Sequence, residues 1–546
     1  MEFRYGKILL MPETIVDLPN DIETLKAIIL AQQTEYKTLL QEKDHEIMRW
    51  RENYYLIRQK LFGSSSEKQH LEKEAQYLLF DEAEAHADEG TVPVTTTVSA
   101  HERKKRGRKS KDVPLPVVEQ IHELEGDDRS CPCCGKDRPK IGEERSSEYD
   151  LVPAHFVKIV HIRHKYGPCT CVAFEESKSA SVITAPAPAK VIPGSDFSNR
   201  TTAFFMTAKF ADAIPFYRMA KMLVRYGLVM TRATLSNQAI AVGRAIGSLI
   251  DLMNRDLMNS PVLLMDETTL QVLDEKGKSN TSNSYMWVQR GFYDGKPIHR
   301  FTYHSSRSGA FAEKLLTDFK GFYLQTDGYK GYDRFHDTKH PAYRSNLVHV
   351  GCFAHIRRKF VEAWEVVGKT GIAEEAIKLI ASLYEVERTL RKQLEEKAID
   401  ESTFLSRRKR KAEPHLSDFR MWLCRNSLTV APQSKLGMAI SYALVEFPLA
   451  SRYIDHPLLT PDTNAVENAI RPFVIGRKNW LFSGSPRGAH ASAGIYSLIE
   501  TAKANNHDPY FYLCFLFDRL PLCKSTEDYE KLLPYRVSSE EVVKMY

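Results

Sequence analysis

Three acidic residues stand where carboxylates need a reason to be. Asp266 closes the apolar run Val262-Leu263-Leu264-Met265, and Asp327 closes the run from Gly321 to Gln325. On neighbouring strand ends the two would face each other, and facing carboxylates repel and resist ionisation unless a cation sits between them. Oxygen ligands of this kind suit Mg²⁺ (or Mn²⁺), which keeps several waters and also takes up substrate phosphates. A third acid, Glu467, lies in DTNAVENAIRPFVIGRKNWLF (462–482). There Glu467, Arg471 and Lys478 fall near one face of a helix that Asn464 could cap and Pro472 could kink. Docked beside a sheet, that helix would complete a three-carboxylate site, with Arg471, Arg477 and Lys478 ready for phosphates. One Asp after a strand is commonly a turn or cap residue; the pair at these two positions is what points to phosphoryl transfer.

A second group suits a different metal. Cys131-Pro-Cys-Cys134-Gly135 is a C-x-x-C turn followed by Gly, and Cys169-Thr-Cys171 is a tighter C-x-C pair. Together they are candidate ligands of a structural Zn²⁺, with His161 or His164 able to replace one sulfur. A set of reduced structural cysteines is the alternative. The nine cysteines are an odd number, and the N-terminus MEFRYGKILLMPE lacks a signal-peptide core. Both features imply a reducing compartment.

The net charge of +6 is concentrated. Segment 101–111 (HERKKRGRKSK) and segment 407–411 (RRKRK) carry more than all of it, and the rest of the chain is slightly acidic. Two such clusters imply polyanion binding, the alternative being a solvated linker or helix face. In the first, Arg106-Gly-Arg108-Lys109 resembles a short strip that can lie in a narrow minor groove; plain phosphate binding explains it as well.

The elements that must position these residues follow from periodicity. Residues 20–62 carry Ile22, Leu25, Ile29, Tyr36, Leu39, Ile47, Trp50, Tyr54, Ile57 and Leu61 at steps of three and four, which predicts an amphipathic helix and a coiled coil. Arg218 to Tyr226 is amphipathic, Gly227 breaks it, and Thr231 can cap a following helix, a helix-turn-helix pattern. From Pro261 short strands begin: Val262–Met265, Tyr285–Phe292, Ile298–Tyr303, Gly321–Gln325 and Leu347–Gly351. Helices are expected over Gly309–Phe319 and His355–Val367. That order matches a ribonuclease-H-like core, a mixed five-stranded sheet with helices. The 140-residue gap from Asp327 to Glu467 is too long for a plain core, so 371–454 is read as an α-helical insertion. At 546 residues, roughly 100–200 per domain allows several units. The expected division is an N-terminal helix (1–80), a basic linker (81–118), a Cys-rich module (119–185) and a helical DNA-binding region (186–260). Then come the core's first part (261–370), the insertion (371–454), the core's second part (455–505) and a helical tail (506–546). Mean hydropathy is −0.38, and no apolar run approaches the ~20 residues of a membrane helix.

At this point the chain resembles the DDE transposases of the insertion-sequence-66 type. The motifs are FGSSSEK, CPCCG, ITAPAPAKVIPG, TAKFADAIPFYR, LLMDETTLQVL, LQTDGYKGYD, CFAHIRRKF and DTNAVENAIRPFVIGRKNWLFSGSPRGAHASAGIYSLIETAKANNHDPYFYL. The resemblance implies the catalytic triad Asp266, Asp327 and Glu467 and a helical insertion before the Glu. Two departures are visible: Thr463-Asn464 where the family usually has Asn-Asn, and C-x-C in the second cysteine pair. Cys352 and His355 form a C-x-x-H step, expected to pack and orient the site, and Arg357, Arg358 and Lys359 follow as candidate DNA contacts. The resemblance also implies end cleavage and joining with two Mg²⁺ per site. DNA, a second copy through the N-terminal helix and accessory proteins of the same element are the implied partners. The implied location is the bacterial cytoplasm, at the nucleoid. The alternatives are a ribonuclease-H-fold nuclease or resolvase, and a non-catalytic DNA-binding regulator.

Overall fold

The computed structural model describes residues 155–166, 183–366 and 371–543 and most of 21–50. Arg106, Arg108, Lys109, Cys131, Cys134, Cys169 and Cys171 lie outside the described residues. The chain forms two compact units, Ala75–Lys158 and the remainder, and only 155–158 of the former are described. Near the N-terminus Asp21 starts a helix by accepting the Thr24 amide at 3.0 Å, and the described apolar residues Ile22, Ile29, Tyr36 and Leu39 are exposed. A two-residue ladder, β1 (Lys165–Tyr166) with β2 (Ile183–Thr184), precedes the main body.

Helices α1 (Asn199–Phe210), α2 (Phe216–Arg225), α3 (Arg232–Ala245) and α4 (Gly247–Met258) come next. The break between α2 and α3 has the expected chemistry. Gly227 takes φ +83°, which costs a side-chain-bearing residue about 1–2 kcal/mol, and Thr231 accepts the Thr234 amide at 3.1 Å.

The centre is a six-stranded mixed sheet in the order β5-β4-β3-β6-β7, with β8 also on β3. Its strands are β3 (Val262–Val272), β4 (Asn283–Tyr293), β5 (Lys296–His304), β6 (Tyr323–Gln325), β7 (Val348–Val350) and β8 (Phe482–Ser483). The first three are antiparallel; β6, β7 and β8 join in parallel. Two expectations need correction. Asp266 lies in the middle of β3, because the long partner β4 pairs with it as far as Gln271. The sheet has six strands because β8 pairs with Gln271 and Val272, on the side that β6 leaves open beyond Gln325.

Helix α5 (Gly309–Leu315) follows β5 and α6 (Phe353–Val366) follows β7. Three helices then intervene: α7 (Ile372–Glu395), α8 (Glu401–Ser427) and α9 (Lys435–Ala450). Helices α8 and α9 pack on α6 through Phe353, Phe360, Phe419, Trp422 and Phe447, whose ring centroids lie 5.6–6.3 Å apart in tilted, edge-on and stacked pairs. The RRKRK cluster falls within α8 and does not act as one patch. Successive helical residues point 100° apart, so Arg408 is fully buried while Arg410 and Lys411 are exposed. Arg408 donates to Glu387 at 2.7 Å and to the carbonyls of Tyr453, His456 and Leu459 at 2.9–3.1 Å.

The chain returns as α10 (Asn464–Trp480), which continues through Pro472, and α11 (Pro486–Ala504). Thr463, not Asn464, occupies the N-cap position of α10, and its hydroxyl turns instead to Glu467. Helix α11 covers the outer edge of β5. Ser497 accepts the Phe301 amide at 2.8 Å and Thr501 accepts the His299 amide at 3.0 Å. Those hydroxyls satisfy groups that an open edge would offer to another chain.

Candidate active site

The sheet register brings the two aspartates together. Leu264 of β3 pairs with Gln325 at the end of β6 in parallel; Asp266 lies two residues further along β3 and Asp327 two residues past the end of β6, close enough for the charge of Asp327 to act on Asp266. Adjacent strands are about 4.8 Å apart. Backbone amides fix both side chains: Asp266 accepts from Glu267 N at 2.7 Å and Asp327 from Tyr329 N at 3.1 Å. The turn after Asp327 packs closely on α9: a Cβ at Gly328 would lie 2.3 Å from the Tyr442 hydroxyl, which would have to move. Buried Gln325 braces the strand end, donating to Gly351 O at 3.2 Å and Thr460 O at 2.7 Å.

Glu467 comes from the first turn of α10, which packs on β3 and β4. Its carboxylate is buried, 2.9 Å from the Thr463 hydroxyl and 3.9 Å from His355 Nδ1. Burial holds Asp266 well above the ordinary carboxylate range, and Glu267, Glu467 and Asp327 push it further. Burial, then Glu267, pushes Asp327 up to about 7. Glu467 also rises to about 7 by burial, with Arg358 and Thr463 opposing. Asp266 and Glu467 each register the charge of Asp327, as expected of acids converging on one point. Such a set is short of positive charge and offers only oxygen, which fits a hard divalent cation.

The same electrostatics make the metal-free protein less stable as pH rises. Free carboxyls titrate near 4 and those of Asp327 and Glu467 near 7, so between those values the folded chain holds protons that the unfolded chain has released. Stability from Asp327 and Glu467 is therefore full below about pH 4 and falls until about pH 7, and the raised Asp266 acts in the same direction. Asp266→Asn should melt at a higher temperature than wild type at pH 8 in EDTA, and the gap should close at pH 4 or with Mg²⁺. Equal melting at pH 8 would mean that the acids do not burden one another.

The other expected residues divide. Arg358 registers electrostatically on Glu467 and His355, so it flanks the site. Arg357 is half-buried. Lys359 is exposed and pairs with Glu362 at 3.4 Å. Arg471 is half-buried and Lys478 exposed. Arg477 is committed elsewhere: buried, it donates to the Thr269 carbonyl and hydroxyl and ties α10 to β3 instead of facing outward for phosphates. Cys352 takes the Thr463 amide at 3.4 Å and His355 Nδ1 lies 3.2 Å from its sulfur.

Sequence reasoning missed the surroundings of Glu267. This buried residue, adjacent to Asp266, receives Arg307 Nε at 2.6 Å and the Tyr332 hydroxyl. Arg307 stacks over Tyr329 at 3.9 Å and registers on Asp327. The only available signal was the acidic pair Asp266-Glu267 itself; no spacing in the chain points to Arg307.

The mixed sheet thus brings Asp266, Asp327 and the helix-borne Glu467 into one neighbourhood, and family comparison names the class as the DDE transposases. Residues 194–491 match the model of the Transposase IS66 family, and residues 497–535 the IS66 C-terminal element. Residues 128–171 match the zinc-finger binding domain of transposase IS66, and 49–119 the model described as Transposase C of IS166 homeodomain. The chain belongs to the IS66 transposase family. Similar proteins occur in Sinorhizobium fredii (strain NBRC 101917 / NGR234). The uncharacterized protein y4jD is 30% identical over 78% of this chain and 81% of its own length. The uncharacterized protein y4qI is 26% identical over 97% and 99%, and y4hP 27% over 88% and 87%. Among the described residues no helix is long and apolar enough to cross a membrane.

Proposed function

We propose that this protein is a transposase that cleaves the ends of its element and joins the freed 3′ ends to target DNA, with Asp266, Asp327 and Glu467 as catalytic residues on a ribonuclease-H-like core. The observation that carries this is the convergence of Asp266 in β3, Asp327 just past the end of the parallel strand β6, and buried Glu467, with Asp266 raised by the charges of both other acids. The strand order β5-β4-β3-β6-β7, antiparallel then parallel, supports the core assignment.

The three carboxylates would hold Mg²⁺ or Mn²⁺, two per site, which when bound neutralise phosphate charge and lower the pKa of an attacking water or 3′-hydroxyl. The chain's own residues do the rest. Backbone amides and the Thr463 hydroxyl aim the carboxylates, so little reorganisation is needed as charge develops. Arg307, with its side chain 37% exposed, and Arg358 lie beside the acids and can orient a phosphate. Of the basic residues expected to meet DNA, Arg471, Lys478, Arg357 and Lys359 remain candidates alongside Arg106, Arg108 and Lys109.

Ends would be recognised by the cysteine module (Zn²⁺ on Cys131, Cys134, Cys169 and Cys171), the α2–α3 turn and the basic linker. The exposed apolar stripe of the N-terminal helix supports pairing with a second copy, one per element end. Accessory proteins of the element and action at the nucleoid belong to the same proposal.

The deciding experiment is a Mg²⁺-dependent assay on the element's own ends. Joined products support the proposal; cleavage without joining would make the protein a nuclease of this fold, and binding alone a regulator. The linker has its own test. If residues 103–111 neutralise about six phosphates, replacing their Lys and Arg should reduce the log–log salt slope of end binding by about five. An unchanged slope would remove the linker from the DNA contact.

A further inference from the structure

Cys352 and His355 sit where α6 begins, and Glu467 sits one turn into α10. The two segments are held together by the Phe353 amide donating to Pro461 O at 2.8 Å and by the Thr463 amide on the Cys352 sulfur. Cys352 Sγ, His355 Nδ1 and a Glu467 carboxylate oxygen all lie within 4.8 Å of one another. The sulfur–nitrogen separation is 3.2 Å and the nitrogen–oxygen separation 3.9 Å. Two ligands on one tetrahedral Zn²⁺ stand about 3.3–3.6 Å apart, so small side-chain shifts would suffice. The donor set is mixed. A thiolate and an imidazole favour Zn²⁺ strongly over Mg²⁺, which seeks oxygen alone. Thiolate and carboxylate together match the ion's charge, against the opposing charge of Arg358. The bound ion would displace the Thr463 hydroxyl from Glu467 and would expel the thiol proton to solvent.

We propose that Cys352, His355 and Glu467 form a three-ligand site for Zn²⁺ that shares Glu467 with the hard-cation site, so that zinc occupancy withholds Glu467 and silences the enzyme. The binding half stands on the cluster's geometry. The silencing half rests on the proposed role of Glu467. A carboxylate oxygen committed to zinc cannot at the same time complete a magnesium site, so the two ions compete through one residue. Such competition gives zinc a route to inhibition that needs no conformational change.

The test uses the full chain. Wild type, Cys352→Ala and His355→Gln are stripped with chelator and dialysed side by side against micromolar Zn²⁺, and bound metal is measured. Wild type should retain about one Zn²⁺ per chain more than either variant. The cysteine module is identical in all three, so its zinc cancels. Equal contents would overturn the site. Should Cys352→Ala not fold, His355→Gln, at a side chain 15% exposed, carries the comparison. For silencing, zinc inhibition of Mg²⁺-dependent cleavage is measured for wild type and His355→Gln, each relative to its own zinc-free rate. The half-inhibitory concentration should rise at least about tenfold in the variant; an unchanged value would overturn the silencing. If wild type shows no cleavage at all, the proposed function fails while the dialysis result still decides the site.

Discussion

Asp327→Ala should reduce end cleavage by about 10³-fold or more and leave end binding intact. The reason is geometric. Asp327 follows the end of β6 beside Asp266, and its carboxylate's only described hydrogen bond is from Tyr329 N, so its side chain braces no other element among the described residues. Losing one charge-organising group in a dry site typically costs roughly 3–4 kcal/mol of transition-state stabilisation, and a metal ligand more. Binding should survive because the segments proposed to meet the ends lie elsewhere in the chain. Asp327→Asn, which keeps the shape and loses the charge, should be nearly as inactive and should also bind ends normally. Gel-shift and cleavage assays on the same preparations separate the outcomes. Loss of binding together with cleavage would assign Asp327 a structural role.

The second large effect is on stability. Arg408→Ala should destabilise the protein by about 3–5 kcal/mol, the usual consequence of breaking a buried ion pair from one side. The guanidinium is fully buried, and its removal takes a donor from the Tyr453 and His456 carbonyls and leaves Glu387 and the Leu459 carbonyl with Arg391 alone. These carbonyls belong to the segment leading into α10, so the loss should reach the helix that carries Glu467. Arg410→Ala and Lys411→Ala, two and three residues on and exposed, should each change stability by no more than about 0.5 kcal/mol. Urea unfolding of the three variants makes the comparison. Equal effects would mean that the cluster is one surface patch after all.

The contrast within RRKRK shows where reading the chain stops being enough. Five basic residues in a row carry a charge signal that composition reports faithfully. Which of them is inside depends on the rotation of a helix against helices tens of residues away. Arg477 is similar: it looks like a phosphate contact beside Lys478, yet it is spent on Thr268 and Thr269 of a strand more than two hundred positions earlier. Arg307 went unseen because its partner Glu267 lies forty residues upstream.

Other features were legible for a local reason. An aspartate terminating an apolar run breaks a pattern that only burial explains, and it does so at Asp266 and again at Asp327. Gly227 and Thr231 announce a turn and a cap through their own backbone and hydroxyl chemistry. The strands from Pro261 onward carry alternation and turn residues within a few positions of each other. Such signals need no partner. The long reach of β3 past Asp266, the added strand β8, the hydroxyls of Ser497 and Thr501 along the sheet edge and the meeting of Cys352 with Thr463 and Glu467 all depend on distant segments. Short-range chemistry thus decided which residues are reactive and which elements form. Packing between remote elements decided which charges are buried, which acids converge and which basic residues remain free to meet DNA, because those outcomes are set by distances that no stretch of chain contains.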